Sequence, residues 1–521
     1  MPDFRKGVPT LDHEGLDFST KTCEPTGMEF IPTAEQDAII AAADTGENVV
    51  VTAVAGSGKT STLKLIAASR PQVNFLYLAF GKDIQTAMDK VLANVESRTA
   101  HSLAYRYCKD NHPHVIERLN FKGKGYNCPI KPWSMAAHLG LPNSRPFEDS
   151  SNADDPIRVI TGKSLVSMVK ASITRFCRTA DEQITAFHVT REFENDTDQA
   201  IFARFLLPFV TKFWADLTSP TGIQETSGDH YLKVWSLDCP ELPYDTILFD
   251  EAQDADPAIA HVIENQSRQV IMVGDASQAI YGWRGAVDAL SKFNAPHRLT
   301  LTQSFRFGPA IAEFANRFLS ALEAEVRVIG FDKVASTVTT DMDADAVLCR
   351  SNAGVIEYAI DFLGRGKRVA IAGGTDDLKS FVRAAKKLQD IEATGKGFCG
   401  HGELGAFATW TDAVEHAGTE DGSDLRIRVK LVQTYGADFL LELLDKLVDV
   451  KKAKPGSYDV VISTAHKAKG LEWDRVLIGS DFKLPAEEGT LPSTADLMLM
   501  YVAVTRAKLS VNPGILAMLA L

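Results

Sequence analysis

Residues 53–60, Ala53-Val54-Ala55-Gly56-Ser57-Gly58-Lys59-Thr60, have the types and spacing that handle phosphate. Glycines let backbone N–H groups curl around phosphate oxygens, and a following helix N-terminus adds partial positive charge. In such a loop Lys59 reaches the β/γ phosphates and the Thr60 hydroxyl can hold Mg²⁺. Ala53 stands where the strict pattern has its first glycine. A plain glycine-rich turn is the bland alternative. A second acidic segment, Asp250-Glu251-Ala252-Gln253-Asp254, closes an apolar run. An acidic residue at a strand end can hold Mg²⁺, and its neighbour can deprotonate an attacking water. We assign Asp250 to the metal and Glu251 to the base. Arg306, in Gln303-Ser304-Phe305-Arg306, and Arg506, in Val504-Thr505-Arg506, are candidates for stabilising charge on a transferring γ-phosphoryl group.

Such groups need strands that end beside one another. Apolar, β-branched runs at 49–52, 75–80, 246–249 and 269–273 predict buried strands, with helices over 59–69 and 83–94. The alternation predicts an α/β fold with parallel sheets covered by helices. A second set of strands is expected at 298–302, 346–349, 368–371, 460–463 and 475–478. Residues 107–196 are rich in Pro, Gly and Asn and read as an insertion, whereas 376–455 are charged, helix-like and shorter. Leu440 begins an amphipathic stretch expected to face a core.

The chain has 521 residues, 45% hydrophobic and 24% charged, with a net charge of −13. At roughly 100–200 residues per domain this predicts three or four structural units and excludes a disordered chain or a small disulfide scaffold. The acidic balance argues against coating nucleic acid by bulk charge, though not against a local basic channel. Seven scattered cysteines fit a reducing compartment. With no apolar run near ~20 residues and no apolar stretch after the first residues, neither membrane span nor secretory signal is expected. Cytoplasmic residence follows, host cytoplasm for a viral protein.

Residues 274–286 (Gly-Asp-Ala-Ser-Gln-Ala-Ile-Tyr-Gly-Trp-Arg-Gly-Ala) resemble the third signature of UvrD/Rep-type superfamily 1 helicases. Residues 463–472 (Ser-Thr-Ala-His-Lys-Ala-Lys-Gly-Leu-Glu) resemble their fifth and 501–508 (Tyr-Val-Ala-Val-Thr-Arg-Ala-Lys) their sixth. The phosphate loop and the Asp-Glu-Ala-Gln box resemble the same family's, and the ordered motifs run from Gln36 to Lys508. Residues 99–105 and 301–308 are similar to the F-box DNA helicase branch; no F-box is legible, so that branch's ubiquitin-ligase role is not carried over.

The resemblance implies two RecA-like lobes with ATP between them, each with a mainly helical insertion. The implied boundaries are an arm at 1–29, a first lobe at 30–106 and 197–297 with its insertion at 107–196, and a second lobe at 298–375 and 456–521 with its insertion at 376–455. It implies that Ala55, Gly56, Ser57, Gly58, Lys59, Thr60 and Ser61 hold the nucleotide. Ser61 departs from the arginine many relatives place beside adenine. Gln36 matches the residue that reads adenine, Phe305 the aromatic that stacks on it, and Glu472 the ribose contact. Gly470 falls at a turn beside the phosphates, and Gln278 matches the γ-phosphate sensor linking ATP to DNA. Phe80, Tyr281 and Trp283 match stacking positions; Thr99, His101, Arg284, Thr464 and His466 match polar or backbone contacts.

The implied activity is an ATP- and Mg²⁺-dependent DNA helicase or single-strand translocase of 3′→5′ polarity. Arg306 and Arg506 reach ATP only when the lobes close. Its implied partners are single-stranded DNA and single/double-strand junctions, with a single-strand-binding protein or recombinase. One rival is a translocase that strips proteins from single-stranded DNA with little unwinding. Others are a non-catalytic DNA-binding scaffold and an ATPase acting on protein. Cys108, His112, His114 and Cys128 could form a Cys₂His₂ zinc site, but their spacing is irregular and separate structural roles are the simpler expectation. Lys122, Lys124 and Lys131 read as a solvated face that could contact duplex.

Overall fold

The computed structural model describes residues 31–79, 92–120, 126–130, 134–152, 156–282, 289–397, 399–401, 403–418, 423–454, 456–485 and 490–519. The arm at 1–29, Phe80, most of the helix expected over 83–94, Lys122, Lys124, Lys131, Trp283 and Arg284 lie outside the described residues. Among the described residues, no helix is long and apolar enough to cross a membrane.

Among the described residues, eight strands occupy the first part of the chain: β1 (Val49–Ala53), β2 (Phe75–Ala79), β3 (Val95–Thr99), β4 (Ser144–Glu148), β5 (Ile157–Thr161), β6 (Thr246–Asp250), β7 (Gln269–Gly274) and β8 (His297–Leu301). All but β4 and β5 form one parallel sheet in the order β3-β2-β6-β7-β1-β8. Alternate residues point to opposite faces, and each face has its own core. Val50, Leu76, Ile247 and Val270 pack with Leu103, Trp235 and Val262 from helices on one side. Val49, Val51, Phe75, Leu248 and Ile271 pack with Ile39, Leu63 and Ile66 on the other. Burial on both faces explains why these strands read as continuous apolar runs. The Lys59–Ser69 helix has the expected bounds.

The strand expected at 298–302 belongs to this first sheet, not to the second set. It pairs with β1 from Val49↔His297 to Ala53↔Leu301. Extended propensity marks a run as a strand without saying which edge it joins. The Val95–Thr99 strand lies just beyond the helix expected over 83–94 and escaped the periodicity.

The second sheet comprises β9 (Thr337–Val338), β10 (Ala346–Cys349), β11 (Val369–Ile371), β12 (Val448–Asp449), β13 (Val460–Thr464), β14 (Trp473–Ile478) and β15 (Ala507–Asn512). It is parallel throughout, ordered β12-β11-β13-β10-β14-β15-β9. Leu348, Val476 and Val511 face the Pro309–Ala321 and Thr494–Val504 helices. Val347, Val369 and Ile462 face the Asn352–Gly364, Asp376–Thr394 and Ala437–Lys446 helices. The fold is therefore α/β, with two parallel sheets of RecA-like P-loop type carrying helices on both faces.

Both expected insertions sit differently from their sequence outlines. Residues 376–446 share one core with β10, β11 and β13, so they cover the second sheet instead of standing apart, and Leu440, Leu443 and Leu444 point into that core. In the first lobe, the Asp196–Thr218 helix places Phe202, Leu206, Val210 and Phe213 in the core of the preceding segment, together with Leu165, Ile173 and Phe147 of the β4–β5 hairpin. The structural unit thus runs past residue 196, where composition alone had stopped it.

Candidate functional site

β1, β6, β7 and β8 are neighbours or near neighbours, and their carboxyl ends deliver the candidate residues to one crevice, as open parallel sheets do. After β1 the chain turns through Gly56 (φ +73°) and Gly58 (φ +79°) into the Lys59–Ser69 helix, which has no side-chain cap. That leaves the first-turn N–H groups to face an anion. Val54 N–H donates to the Leu301 carbonyl (3.0 Å), and the Ser57 hydroxyl to that of Val54 (2.9 Å). A Cβ on Gly56 would lie 2.7 Å from both Ser304 Oγ and Arg306 Cβ, so glycine is what lets the loop meet the 304–306 turn.

The acidic pair is held from both sides. Thr60 Oγ1 and the Tyr77 phenol donate to the same Asp250 carboxylate oxygen, at 2.9 and 2.5 Å. Lys59 Nζ lies 3.6 Å from Glu251 Oε1, and the Gln253 amide donates to Glu251 Oε2 (2.5 Å). Glu251 adopts a left-handed backbone, φ +52°, which a non-glycine residue holds only under constraint. Burial, then the neighbouring Glu251 charge, raise the Asp250 carboxyl. Burial also opposes ionisation of Glu251, but Lys59 and Lys469 overcome it and hold that carboxyl at about 2. A hydroxyl beside a carboxylate is a hard-oxygen donor set that suits Mg²⁺.

Gln36 and Phe305 flank the end of the phosphate loop. A Cβ on Gly58 would lie 3.6 Å from the Gln36 amide nitrogen and 3.7 Å from the Phe305 ring. Gln36 also closes a capping box, its Oε1 accepting from Thr33 N–H (3.0 Å), while its amide donates to Thr62 Oγ1 (3.1 Å). Phe305 N–H donates to the Gly56 carbonyl (2.8 Å), and its ring meets Phe331 edge-on. Ser61 is exposed on the first helical turn.

Arg306 lies on the crossing from β8 to the second lobe. It donates to Glu472 (2.8 Å) and to the Thr505 carbonyl (3.0 Å). Gly470, φ +83°, turns the chain two residues before Glu472. Arg506 is 2% exposed and donates to Gln278 Oε1 (3.1 Å), Thr505 Oγ1 (3.0 Å) and the Val502 carbonyl (2.9 Å). Burial and the nearby Arg306 cation lower its guanidinium to about 9. Gln278 in turn donates to Asp275 (2.6 Å).

The expected DNA contacts form two groups. Tyr281 donates to the His466 carbonyl (3.3 Å), the two rings lie 6.5 Å apart, and Thr464 caps the short helix carrying His466. Burial, followed by Arg350 and Lys469, lowers the His466 imidazole. Thr99 caps the Ala100–Asn111 helix, and exposed His101 lies 3.8 Å from Asp229.

The four zinc candidates go to separate partners. Cys108 donates to the Tyr231 carbonyl, and His112 lies 2.6 Å from Asp238. His114 lies 2.9 Å from the Thr218 carbonyl, and Cys128 donates to that of Ile223. Among the described residues no cluster of three or more metal-ligating side chains is present.

Residues 36–284 match the model of an AAA domain, and residues 418–511 match that of a UvrD-like helicase C-terminal domain. The two matches together support a UvrD-like superfamily 1 helicase. F-box DNA helicase 1 of Gallus gallus is 29% identical over 509 residues, 89% of this chain and 47% of the relative. F-box DNA helicase protein 1 of Schizosaccharomyces pombe is 27% identical over 518 residues, 91% and 56% of the two chains. A mitochondrial ATP-dependent DNA helicase of Saccharomyces cerevisiae is 34% identical over 95 residues, 16% and 14% of the two chains. This chain spans about half the length of the two F-box helicases.

Several residues of this UvrD-like site escaped the motif reading. Tyr77 appeared only as strand apolarity, and Lys469 only as one letter of the fifth signature. Tyr501 accepts from Ala55 N–H of the phosphate loop (3.2 Å) and donates to Asp275 (3.3 Å), so a fully buried second-lobe phenol joins two first-lobe motifs. Tyr501→Phe keeps the packing but leaves both partners short of a hydrogen bond. It is expected to lower unfolding stability by about 1–3 kcal/mol, read by denaturant titration.

Proposed function

We propose that this UvrD-like helicase is a DNA-dependent ATPase that moves along one DNA strand and separates duplex, with 3′→5′ polarity carried from the family resemblance. One observation carries the reading. Arg306 packs at Gly56 of the phosphate loop, Arg506 lies close enough to Glu251 to help lower its carboxyl, and Gln278, three residues before Tyr281, accepts a hydrogen bond from Arg506. The names of the relatives, DNA helicases throughout, agree with it.

In this mechanism Gln36 and Phe305 hold the adenine end of ATP, and the phosphate loop with Lys59 cradles the phosphates. Glu251, ionised at neutral pH, orients the attacking water and accepts its proton. Thr60 and Asp250 would hold Mg²⁺, which neutralises phosphate charge when bound. Arg306 and Arg506 stabilise charge spreading over the γ-phosphoryl oxygens, so ATP favours the closed lobes and hydrolysis removes that preference. Tyr281 and Trp283 supply stacking platforms on the strand. The six described cysteines are all free, which supports the cytoplasm as its compartment.

Steady-state ATP hydrolysis with and without single-stranded DNA tests the reading. DNA is expected to stimulate turnover strongly, and Trp283→Ala to weaken single-strand binding by about five- to hundredfold, the worth of one stacked base. Turnover indifferent to DNA would overturn it. A second reading, a motor that strips proteins such as a recombinase from the strand with little unwinding, draws on residues 376–446, which are spent on covering the second sheet. Strand displacement assayed beside protein clearance separates the two.

A further inference from the structure

The turn after the Ala465–Ala468 helix carries Lys469 out of the second lobe and against the first. Its ammonium donates to both Asp254 carboxylate oxygens, at 2.7 and 2.6 Å, and to the Gln278 carbonyl, at 2.6 Å. The pair is enclosed, with side chains 9% and 2% exposed. Over the same ammonium lies the Tyr281 ring, its centroid 5.3 Å away. Asp254 is tied back to the acidic segment, since its N–H donates to the Glu251 carbonyl (3.0 Å). One buried cation thus touches the continuation of the catalytic strand end, the backbone of the phosphate-sensing glutamine and an aromatic of the DNA group.

Taking both charges out of water is costly, and two apolar side chains would pack the same space at no loss of stability. Packing alone therefore does not call for this pair. What opposite charges add is a single preferred geometry that resists parting, because separation in a dry interface strands each charge without solvent. A base that displaces Tyr281 moves the face on which the ammonium rests, and the ammonium carries Asp254 and the Gln278 carbonyl with it.

We infer that Lys469 is a positioning residue that couples DNA engagement at Tyr281 to the hydrolytic site through Asp254 and Gln278. The inference rests on the DNA-motor reading above. Removing both charges together, Lys469→Met with Asp254→Asn, strands no buried charge and leaves the net charge near Glu251 nearly unchanged, at the loss of the hydrogen bond to the Gln278 carbonyl. The double variant is expected to stay folded while its stimulation ratio, turnover with single-stranded DNA over turnover without it, falls about tenfold, a coupling of ordinary allosteric size. Full stimulation in a folded double variant would overturn the inference. Should the double variant lose its fold, Asp254→Asn alone has the same readout: Lys469 keeps the Gln278 carbonyl, and stimulation must still fall. Wild-type turnover without any DNA stimulation would defeat the motor reading itself, so the two failures are distinct.

Discussion

Glu251→Gln is expected to lower ATP turnover by about 10²- to 10⁴-fold, the usual worth of a general base, while ATP and single-strand binding change little. The substitution keeps the shape of the side chain and its Gln253 neighbour and removes only the capacity to accept a proton. In the proposed mechanism Glu251 is the base, and Lys59 at 3.6 Å and the Gln253 amide hold its carboxylate in place on a strained backbone. Lys59 and Lys469 hold the Glu251 carboxyl below the usual carboxylate range, so it is ionised at neutral pH. Because it is depressed, its contribution to stability is present above the ordinary carboxylate range and is lost as pH falls below that range. Asp250, raised by burial and by Glu251, takes up a proton first on acidification. Quenched-flow turnover with nucleotide-binding titrations checks this. A variant within tenfold of wild type would take the base role away from Glu251.

Arg506→Lys should cost about 10³- to 10⁵-fold in turnover, the range measured for arginine fingers. A lysine keeps the charge but loses the planar fork that donates to Gln278, Thr505 and the Val502 carbonyl together. The guanidinium lies buried near a second one, Arg306, and both effects lower it to about 9. An added anion nearby would offset the repulsion between the two cations, and in the proposed mechanism the transferring phosphoryl group supplies it. ATP affinity is expected to change far less than turnover, because the contact strengthens as charge spreads in the transition state. Steady-state kcat and KM for the variant provide the check, and a raised KM with kcat unchanged would make Arg506 a ground-state binder.

The contiguous motifs were legible because each places its chemistry within a few residues. The phosphate loop, the acidic strand end and the third, fifth and sixth signatures could be read without knowing where the chain goes next. Apolar runs marked β1, β2, β6 and β7 because strands buried on both faces must be apolar throughout. Sheet membership was not legible. Nothing local in β8 says which sheet it joins, and only its pairing with β1 puts the Arg306 turn against Gly56. Residues 376–446 look like an insertion by composition, yet their apolar faces have no core of their own and close on the second sheet.

By itself, the amino-acid sequence determined the family resemblance, the α/β class and the local motif of the nucleotide loop, all of which depend on short-range spacing. Tertiary structure decided the rest. Tyr77 reaches Asp250 across 173 residues, Lys469 reaches Asp254 across 215, and Tyr501 reaches the Ala55 N–H across 446. Such pairs depend on which strand ends and helix faces lie together, and no local propensity encodes that. The same reason separates Cys108, His112, His114 and Cys128. Each finds a nearer backbone or carboxylate partner once the helices pack, so closeness along the chain creates no common site.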